Sequence, residues 1–286
     1  MRFTAKPDES ELVRLHELLA ARDQTIENLR EERRALNQQL QAMHHPPIFL
    51  NTLPKSGSVF IIRSLQRGLG TRFQKLGRGT FPVDMIDGEQ LAQFRSRNAV
   101  SQEHVDASAY NLTLLGRQLG RLAVHLRDPR AASYSWMHHL TGLMRDRPEF
   151  EQQNALLCPD LGYHELSESQ RMAWVVEHHF PACIQWISDW IAVADGQSST
   201  PGADGVRVLL TTYERFVADA DAYFAELLSF FELAPTRFQR VDVEKSKAMN
   251  FRKGQAGEWR NCGDELVAKM TEQIPEVWFE RFDWPR

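Results

Sequence analysis

The sequence has few cysteines, no long apolar run and little net charge, and each of these features argues against a class of protein. Its three cysteines, Cys158, Cys183 and Cys262, are odd in number and lack the spacing of metal ligands. A disulfide scaffold is therefore excluded, and we expect a reducing, cytoplasmic compartment and no resident metal. No stretch approaches the roughly 18 uncharged apolar residues of a membrane span. A formal net charge of −4 argues against a general nucleic-acid binder, which is usually basic.

The rest of the composition is that of an ordinary globular protein, with 42% hydrophobic and 25% charged residues. The length of 286 residues is enough for about two structural units. The pattern of apolar residues changes near Pro46. We therefore predict an N-terminal helical unit over residues 1–45 and a larger domain over residues 46–286.

A heptad pattern runs from about Glu9 to Met43, where residues alternately three and four positions apart form one seam. Eight of the ten seam positions are apolar, and Arg22 and Arg33 are the exceptions. The pattern predicts a coiled-coil helix through which the protein associates with itself. A helix folded back on its own domain would produce the same pattern, so that alternative stays open. The seam consists of Leu12, Leu15, Leu19, Arg22, Ile26, Leu29, Arg33, Leu36, Leu40 and Met43.

After residue 47, short apolar runs that are typical of buried strands alternate with helical patterns. The strand-like runs span residues 48–53, 99–102, 122–126 and 206–211, and the helical patterns span residues 59–69, 108–119, 129–144, 168–193 and 219–232. Strands that alternate with helices favour βαβ units, in which a parallel sheet is covered on both faces. We therefore predict an α/β fold with a mostly parallel central sheet flanked by helices.

Three segments of the larger domain carry side chains suited to an anion. Residues 54–58 (PKSGS) join a strand to a helix, whose N-terminal amides can bind phosphate. Residues 126–135 (LRDPRAASYS) follow a strand, where Arg127 can form two hydrogen bonds to a phosphate. Residues 252–261 (RKGQAGEWRN) combine two cations with spaced glycines. Alone, each has an ordinary explanation: a turn, a solvated helix start around Arg130, or a basic surface loop.

Together and in this order, the three segments resemble the motifs of the PAPS-dependent sulfotransferases (PAPS is 3′-phosphoadenosine 5′-phosphosulfate). The first resembles the 5′-phosphosulfate loop of that family, the second its 3′-phosphate motif, and the third the RKGxxGxWKN loop of its cytosolic branch. The resemblance begins at about Ile48 and leaves out the heptads. It implies a P-loop-like sulfotransferase fold, PAPS as the donor and its desulfated form, PAP, as the product.

The resemblance also implies roles for residues around the 5′-phosphate and the adenine. Lys55 matches the lysine that stabilises the bridging oxygen when the sulfuryl group leaves. Phe60 is at a position where the family often has a tryptophan that stacks on adenine. Tyr213 resembles a family tyrosine and is expected near the adenine, although a buried structural tyrosine would explain it equally well. The loop around the 5′-phosphate corresponds to Ser56, Gly57, Ser58 and Val59.

The other two segments correspond to the family's contacts with the 3′-phosphate. Arg127 and Ser135, eight positions apart, match the pair that binds this phosphate. The C-terminal contribution to the same phosphate corresponds to Arg252, Lys253 and Gly254. The resemblance therefore implies that two distant parts of the chain meet at one phosphate.

Transfer of a sulfuryl group to a hydroxyl needs a base, because the hydroxyl must lose its proton as it attacks sulfur. The resemblance places a catalytic histidine just after a central strand, which makes His104 the candidate base. Glu103 is the alternative, because some carbohydrate-acting relatives use glutamate. Gln102 stands where the family has a lysine, so that more of the charge stabilisation falls to Lys55.

The sequence thus predicts an enzyme that transfers a sulfuryl group from PAPS to a hydroxyl of a small molecule, a lipid-linked intermediate or a carbohydrate. Two alternatives stay open. One is a nucleotide-kinase-like phosphotransferase, against which the lack of a GxxxxGK[ST] sequence argues. The other is a non-catalytic oligomeric scaffold that binds PAP or PAPS.

Removal of residues 1–45 is expected to leave a smaller assembly, because the heptads would form the contact between subunits. The measurement is the molar mass in solution, by light scattering, of the full chain and of the truncated chain. An unchanged number of subunits after truncation would assign the heptad helix another role, such as packing on its own domain.

Overall fold

The computed structural model describes residues 9–42, 45–96, 98–146, 162–240 and 257–286. The chain divides into two compact units, residues 1–45 and 46–286, and each is described by itself. The first contains one helix, α1 (Glu9–Ala42), on which Leu18 and Leu29 are exposed. Pairing of this helix with a second copy stays a prediction.

Five strands and ten α-helices make up the described part of the second unit. The strands are β1 (Ile48–Thr52), β2 (Arg72–Phe73), β3 (Ala99–Glu103), β4 (Arg121–Leu126) and β5 (Arg207–Thr212). The helices are α2 (Ser58–Leu69), α3 (Gly88–Arg95), α4 (Ala109–Gln118), α5 (Pro129–Asp146), α6 (Glu168–His178), α7 (Phe180–Ala194), α8 (Tyr213–Ala218), α9 (Ala220–Phe230), α10 (Asp264–Glu272) and α11 (Glu276–Phe282). Short 3₁₀ turns lie at Tyr163–Glu165, Ala203–Gly205, Pro235–Arg237 and Glu258–Cys262.

The strands form one parallel sheet in the order β2-β3-β1-β4-β5. This confirms the predicted α/β fold with a mostly parallel sheet. The chain runs from β1 to the β2 side of the sheet and later crosses to β4 and β5, so the strand order reverses between β1 and β4. In open parallel sheets, ligands bind outside the carboxyl ends of the strands at such a point. The loops after β1 and β4 are therefore favoured positions for a site.

Apolar side chains cover both faces of the sheet. On one face, Ile48 and Leu50 of β1 pack with side chains of α2 and α9. On the other face, Phe49 and Val124 pack with side chains of α5, α6 and α7. Strands that are buried on both faces have continuous apolar runs, which explains why β1 and β4 can be predicted from the sequence. The core holds the carboxyl ends of these strands in fixed positions.

Two regions differ from the sequence-based expectation. The single helix expected over residues 168–193 is divided, because α6 ends at His178 and α7 begins at Phe180. Pro181 lies in the first turn of α7, where its missing N–H is tolerated, whereas it would interrupt a continuous helix. The short elements β2 and α3 were not expected. None of the helices in the described ranges is long and apolar enough to cross a membrane.

The start of α5 is buried rather than solvated, which corrects the expectation for Arg130. This side chain is fully buried, and its Nε and Nη2 donate to the carboxylate of Asp128 at 3.0 and 2.8 Å. Its guanidinium carbon lies 4.0 Å from the ring centroid of Trp259. Further hydrogen bonds go to the hydroxyl of Thr271 at 3.1 Å and to the carbonyl of Pro285. One arginine thus joins α5 to α10 and to the residues after α11.

Arg130→Ala is expected to lower the free energy of unfolding by about 3–5 kcal/mol, because it leaves the carboxylate of Asp128 buried without its partner. The matched control is Arg215→Ala, which breaks a more exposed ion pair with Glu226 and should change stability by about 0–1 kcal/mol. Urea unfolding of the two variants and the parent chain measures both changes. Equal effects of the two substitutions would contradict this account of Arg130.

Candidate active site

The carboxyl ends of four neighbouring strands each lead into a residue that the sequence analysis identified. His104 follows β3, Lys55 lies in the loop after β1, Arg127 follows β4 and Tyr213 follows β5. The strands are parallel and adjacent, so these four residues lie at the same edge of the sheet.

The loop after β1 has a tight backbone with two positive φ angles. They are 66° at Lys55 and 83° at Gly57, and a residue other than glycine rarely adopts this conformation. The N–H of Leu53 donates to the carbonyl of His125 at 2.9 Å, and the N–H of Ser56 donates to the carbonyl of Leu53 at 3.3 Å. The first bond fixes the loop to the end of β4, and the second closes a turn within the loop.

Helix α2 begins directly after this loop without a side-chain cap. Its N-cap residue is Gly57, and its first turn has no acidic residue. By contrast, Asp87, Ser108 and Asp219 cap α3, α4 and α9 through side-chain oxygens. Uncapped amides at the positive end of the helix dipole favour a bound anion. Ser58, in the first turn of α2, is buried beside them.

Arg127 connects the loop after β1 to the ends of β4 and β5. Its Nη1 donates to the carbonyl of Lys55 at 2.8 Å, and its guanidinium carbon lies 4.3 Å from the centroid of the Tyr213 ring. A Cβ atom at Gly57 would lie 2.8 Å from a carbon of the same ring. Glycine is therefore required at this position both by the left-handed backbone and by the close tyrosine. Three strand ends meet in direct contact here.

Two buried polar atoms of this cluster have no hydrogen-bond partner among the described residues. They are the hydroxyl oxygen of Ser56 and Nε of Arg127. Buried polar groups are nearly always paired, and leaving one unsatisfied costs about 1–3 kcal/mol. These two groups and the amides of α2 are donors that suit phosphate-like anions.

Burial, and next the charge of Arg127, lower the pKa of Lys55 from 10.5 to about 8. The two cations are therefore close enough to repel each other in a partly desolvated region. A bound anion would offset this repulsion and raise the pKa again. The electrostatics of the loop thus favour an anionic ligand over a neutral one.

His125, which the sequence analysis missed, supports the loop from within the sheet. This side chain is fully buried, and its Nε2 lies 3.0 Å from the carbonyl of Ser56. Its Nδ1 lies 3.0 and 3.1 Å from the hydroxyls of Thr211 and Tyr223. Burial lowers the pKa of His125 to about 4, so the ring is neutral and Nε2 donates to the carbonyl. The only signal in the sequence is a polar residue inside an apolar strand.

His104 is half-buried and is held in one tautomer. Its Nδ1 lies 2.6 Å from the carbonyl oxygen of Thr52, which can only accept, so Nδ1 carries the proton and the lone pair of Nε2 can accept a hydrogen bond. Burial lowers the pKa of His104, and the charges of Lys75 and Lys55 lower it further. A neutral imidazole with an unprotonated Nε2 is the form that a general base requires.

Glu103 points into the core rather than toward the loop. Its side chain is fully buried, and its Oε1 accepts from the hydroxyl of Ser101 at 2.8 Å and from the N–H of Leu76 at 2.5 Å. Oε2 pairs with Lys75. Adjacent residues along a strand face opposite sides of the sheet, so the side chains of Glu103 and His104 lie on different faces of it.

Glu214, next to Tyr213, holds the loop that carries Arg127. Its carboxylate accepts from the N–H of Asp128 at 3.1 Å and from the indole N–H of Trp284 at 3.2 Å. Burial raises the pKa of Glu214. Tyr213 and Glu214 thus both contact the loop after β4, Tyr213 at Arg127 and Glu214 at Asp128.

The remaining residues identified from the sequence occupy less connected positions. Ser135 is half-buried in the second turn of α5, and Val59 and Phe60 are half-buried in the first turn of α2. The Phe60 ring lies 5.6 Å from the ring of Phe216. Phe60 joins the cluster through its backbone, since its N–H donates to the carbonyl of Gly57 at 3.0 Å.

Arg252, Lys253 and Gly254 lie outside the described residues. The described chain resumes at Gly257, and Trp259 then packs on Arg130, at the start of α5. The chain from Gly257 onward is therefore held at Arg130, which is three positions after Arg127.

No protein-family model matches the sequence, and no curated protein is significantly similar to it. Among solved structures, the fold resembles that of the mouse sulfotransferase SULT7A1 complexed with PAP, with a TM-score of 0.54 and 14% identity over 80% of this chain and 83% of that chain. A sulfotransferase from Alicyclobacillus acidocaldarius aligns with a TM-score of 0.43 and 14% identity over 79% of this chain and 92% of that chain. The likeness to the mouse protein confirms the predicted sulfotransferase fold.

NMR titration of the lysine side chains in the free protein should reveal one ammonium group with a pKa of about 8, which Lys55→Arg removes. Arg127→Met should raise this pKa, because a neighbouring positive charge is lost. Lys269→Arg, on the surface of α10, is the control and should leave the titration of Lys55 unchanged. If every lysine titrates close to the ordinary value of about 10.4, the electrostatic account of the loop is wrong.

Proposed function

We propose that this chain is a PAPS-dependent sulfotransferase that transfers a sulfuryl group to a hydroxyl of an acceptor. The proposal depends on the meeting of three strand ends around the loop after β1. Arg127 donates to the carbonyl of Lys55, and Tyr213 packs against both Arg127 and Gly57. Two of the three sequence motifs are thus in contact at the uncapped start of α2. The sulfotransferase fold supports the same function.

The residues at this edge of the sheet fit the 5′-phosphosulfate of PAPS. The unpaired hydroxyl of Ser56 and the amides from Gly57 to Val59 would bind the 5′-phosphate, with Ser58 as a further donor. When bound, PAPS supplies the sulfuryl group, whose bond to the bridging oxygen breaks as the bond to the acceptor oxygen forms, and the electron pair stays on PAP. Lys55 would stabilise the negative charge on that bridging oxygen from a position fixed before the reaction.

The 3′-phosphate would distinguish PAPS from nucleotides that lack it. The unpaired Nε of Arg127 faces no partner among the described residues, and we assign it to this phosphate together with the hydroxyl of Ser135. Arg252, Lys253 and Gly254 are proposed to complete the same site, because Trp259 fixes the following residues beside the start of α5. Phe60 and Tyr213 are proposed to lie near the adenine ring.

His104 rather than Glu103 is the proposed base. The Nε2 of His104 has a lone pair, and Lys55 is near enough to affect the pKa of the imidazole. In contrast, the buried carboxylate of Glu103 already accepts from three groups, namely the hydroxyl of Ser101, the N–H of Leu76 and the ammonium of Lys75. In the proposed reaction, the proton of the acceptor hydroxyl moves to Nε2 of His104.

Wider properties of the protein are also proposals. The acceptor is a small molecule, a lipid-linked intermediate or a carbohydrate with a free hydroxyl. The heptads of α1, whose seam residues Leu19, Ile26 and Leu29 are exposed, are proposed to pair with a second copy of the chain. The odd number of cysteines, together with the buried free thiol of Cys183, favours a cytoplasmic location.

One substitution should lower turnover without weakening PAP binding, and another should weaken PAP binding. His104→Ala should lower the turnover number by about 10²–10⁴-fold, because the base is lost, while PAP binds as before. Arg127→Ala should weaken PAP binding by about 1–3 kcal/mol, because a charge-assisted contact to phosphate is lost. Calorimetry with PAP measures binding, and a screen of hydroxyl acceptors with labelled PAPS measures turnover.

The outcomes of this screen separate the competing functions. PAP binding without transfer to any acceptor would favour a non-catalytic scaffold. Phosphoryl transfer from ATP, without any from PAPS, would favour a nucleotide-kinase-like enzyme. Unchanged PAP affinity in Arg127→Ala would contradict the assignment of the donor site, and full activity in His104→Ala would return the role of base to Glu103 or another group.

A further inference from the structure

The side-chain amide of Gln102 is within hydrogen-bonding distance of the nitrogen that is proposed to take the acceptor's proton. Its Nε2 is 3.2 Å from Nε2 of His104 and 2.9 Å from the hydroxyl oxygen of Thr52, to which it donates. Gln102 and His104 are two positions apart at the end of β3, so both side chains project from the same face of the sheet. Both are half-buried.

The carbonyl of Thr52 fixes the hydrogen-bond roles around this imidazole. Nδ1 of His104 donates to it, so Nε2 is an acceptor and the N–H of Gln102 donates to Nε2. An acceptor hydroxyl must use the same lone pair. The amide therefore occupies the hydrogen-bonding position at Nε2 that the reacting hydroxyl needs, and the hydroxyl must displace it.

We propose that Gln102 is a positioning residue whose side-chain amide is hydrogen-bonded to Nε2 of His104 both before and after the proton transfer. Between the two states the amide group rotates by half a turn. Before the reaction, its N–H donates to the lone pair of Nε2. After the acceptor's proton has moved to Nε2, two donors would face each other. Half a turn of the amide brings Oε1 to the same place, where it accepts from the new Nε2–H. The part of this inference that concerns catalysis rests on the proposed function.

The hydroxyl of Thr52 makes both orientations of the amide possible. It now donates to the carbonyl of Glu103 at 3.3 Å and accepts from Gln102. After the amide turns over, the hydroxyl can rotate and donate to Oε1, because a hydroxyl is both donor and acceptor. Neither orientation leaves this buried hydroxyl without a partner.

Three charged side chains act on His104 besides these hydrogen bonds. Lys75 and Lys55 lower the pKa of its imidazole, and Asp84 raises it. They come from the loops after β2 and β1 and from the segment before α3. Gln102→Met leaves all three in place and adds no charge, so its difference from the parent chain reports on the amide, whereas Gln102→Glu also adds a negative charge.

The test uses nitrogen-15 NMR of the histidine side chains in the full-length protein without ligand. Gln102→Met should move the Nε2 resonance of His104 toward that of a nitrogen without a hydrogen bond, while Nδ1 keeps its proton. Gln102→Glu places a group that only accepts beside Nε2 and should move the titration midpoint of His104 upward by about one pH unit or more. In turnover, Gln102→Met should lower kcat about tenfold, as expected from one lost hydrogen bond, with PAP affinity unchanged.

Gln273→Met is the matched control, because Gln273 is a half-buried glutamine directly after α10 whose side-chain amide donates to the carbonyl of Lys269, and it should change none of these quantities. An unchanged Nε2 resonance in Gln102→Met, together with an unchanged midpoint in Gln102→Glu, would overturn the proposal. If the two NMR changes occur but no transfer from PAPS is found with the parent chain, the hydrogen bond stands and the proposed function fails. If transfer is found and the NMR signals do not change, only this inference fails.

Discussion

The candidate site depends on one hydrogen bond, from the guanidinium of Arg127 to the carbonyl of Lys55. This bond holds Lys55 in a left-handed backbone conformation and keeps two cations near each other in a partly desolvated region. Such an arrangement raises the free energy of the empty site. The same arrangement is favourable for an anion, because the donors are already oriented and little reorganisation is needed on binding.

Two side chains, His125 and Glu214, stabilise the residues next to that bond. His125 holds the carbonyl of Ser56, and Glu214 holds the N–H of Asp128, which directly follows Arg127. These contacts use neutral or paired groups inside the core, where an unpaired charge would be costly. The loops therefore carry the cations, while the sheet and its buried polar groups set their positions.

The sequence predicts those parts of the fold in which a local pattern has a single physical cause. Strand β1 is recognisable because its first three residues, Ile48–Leu50, are an apolar run typical of a strand buried on both faces, and its loop is recognisable because a glycine and polar residues precede a helix. The burial of Arg130 could not be predicted, since its partners Thr271 and Pro285 are more than 140 positions away. The same holds for Glu103, whose carboxylate is occupied by Lys75, and for the hydrogen bond between Gln102 and His104.

The residues after α11 are tied to the donor side of the site by two separate contacts. The carbonyl of Pro285 accepts from Arg130, and the indole of Trp284 donates to Glu214. Glu214 also holds the N–H of Asp128. A local opening of this short segment would therefore remove one acceptor from Arg130 and one donor from Glu214. Both side chains also bind Asp128, which directly follows Arg127, so Trp284 and Pro285 contribute to the position of an arginine that is more than 150 positions away.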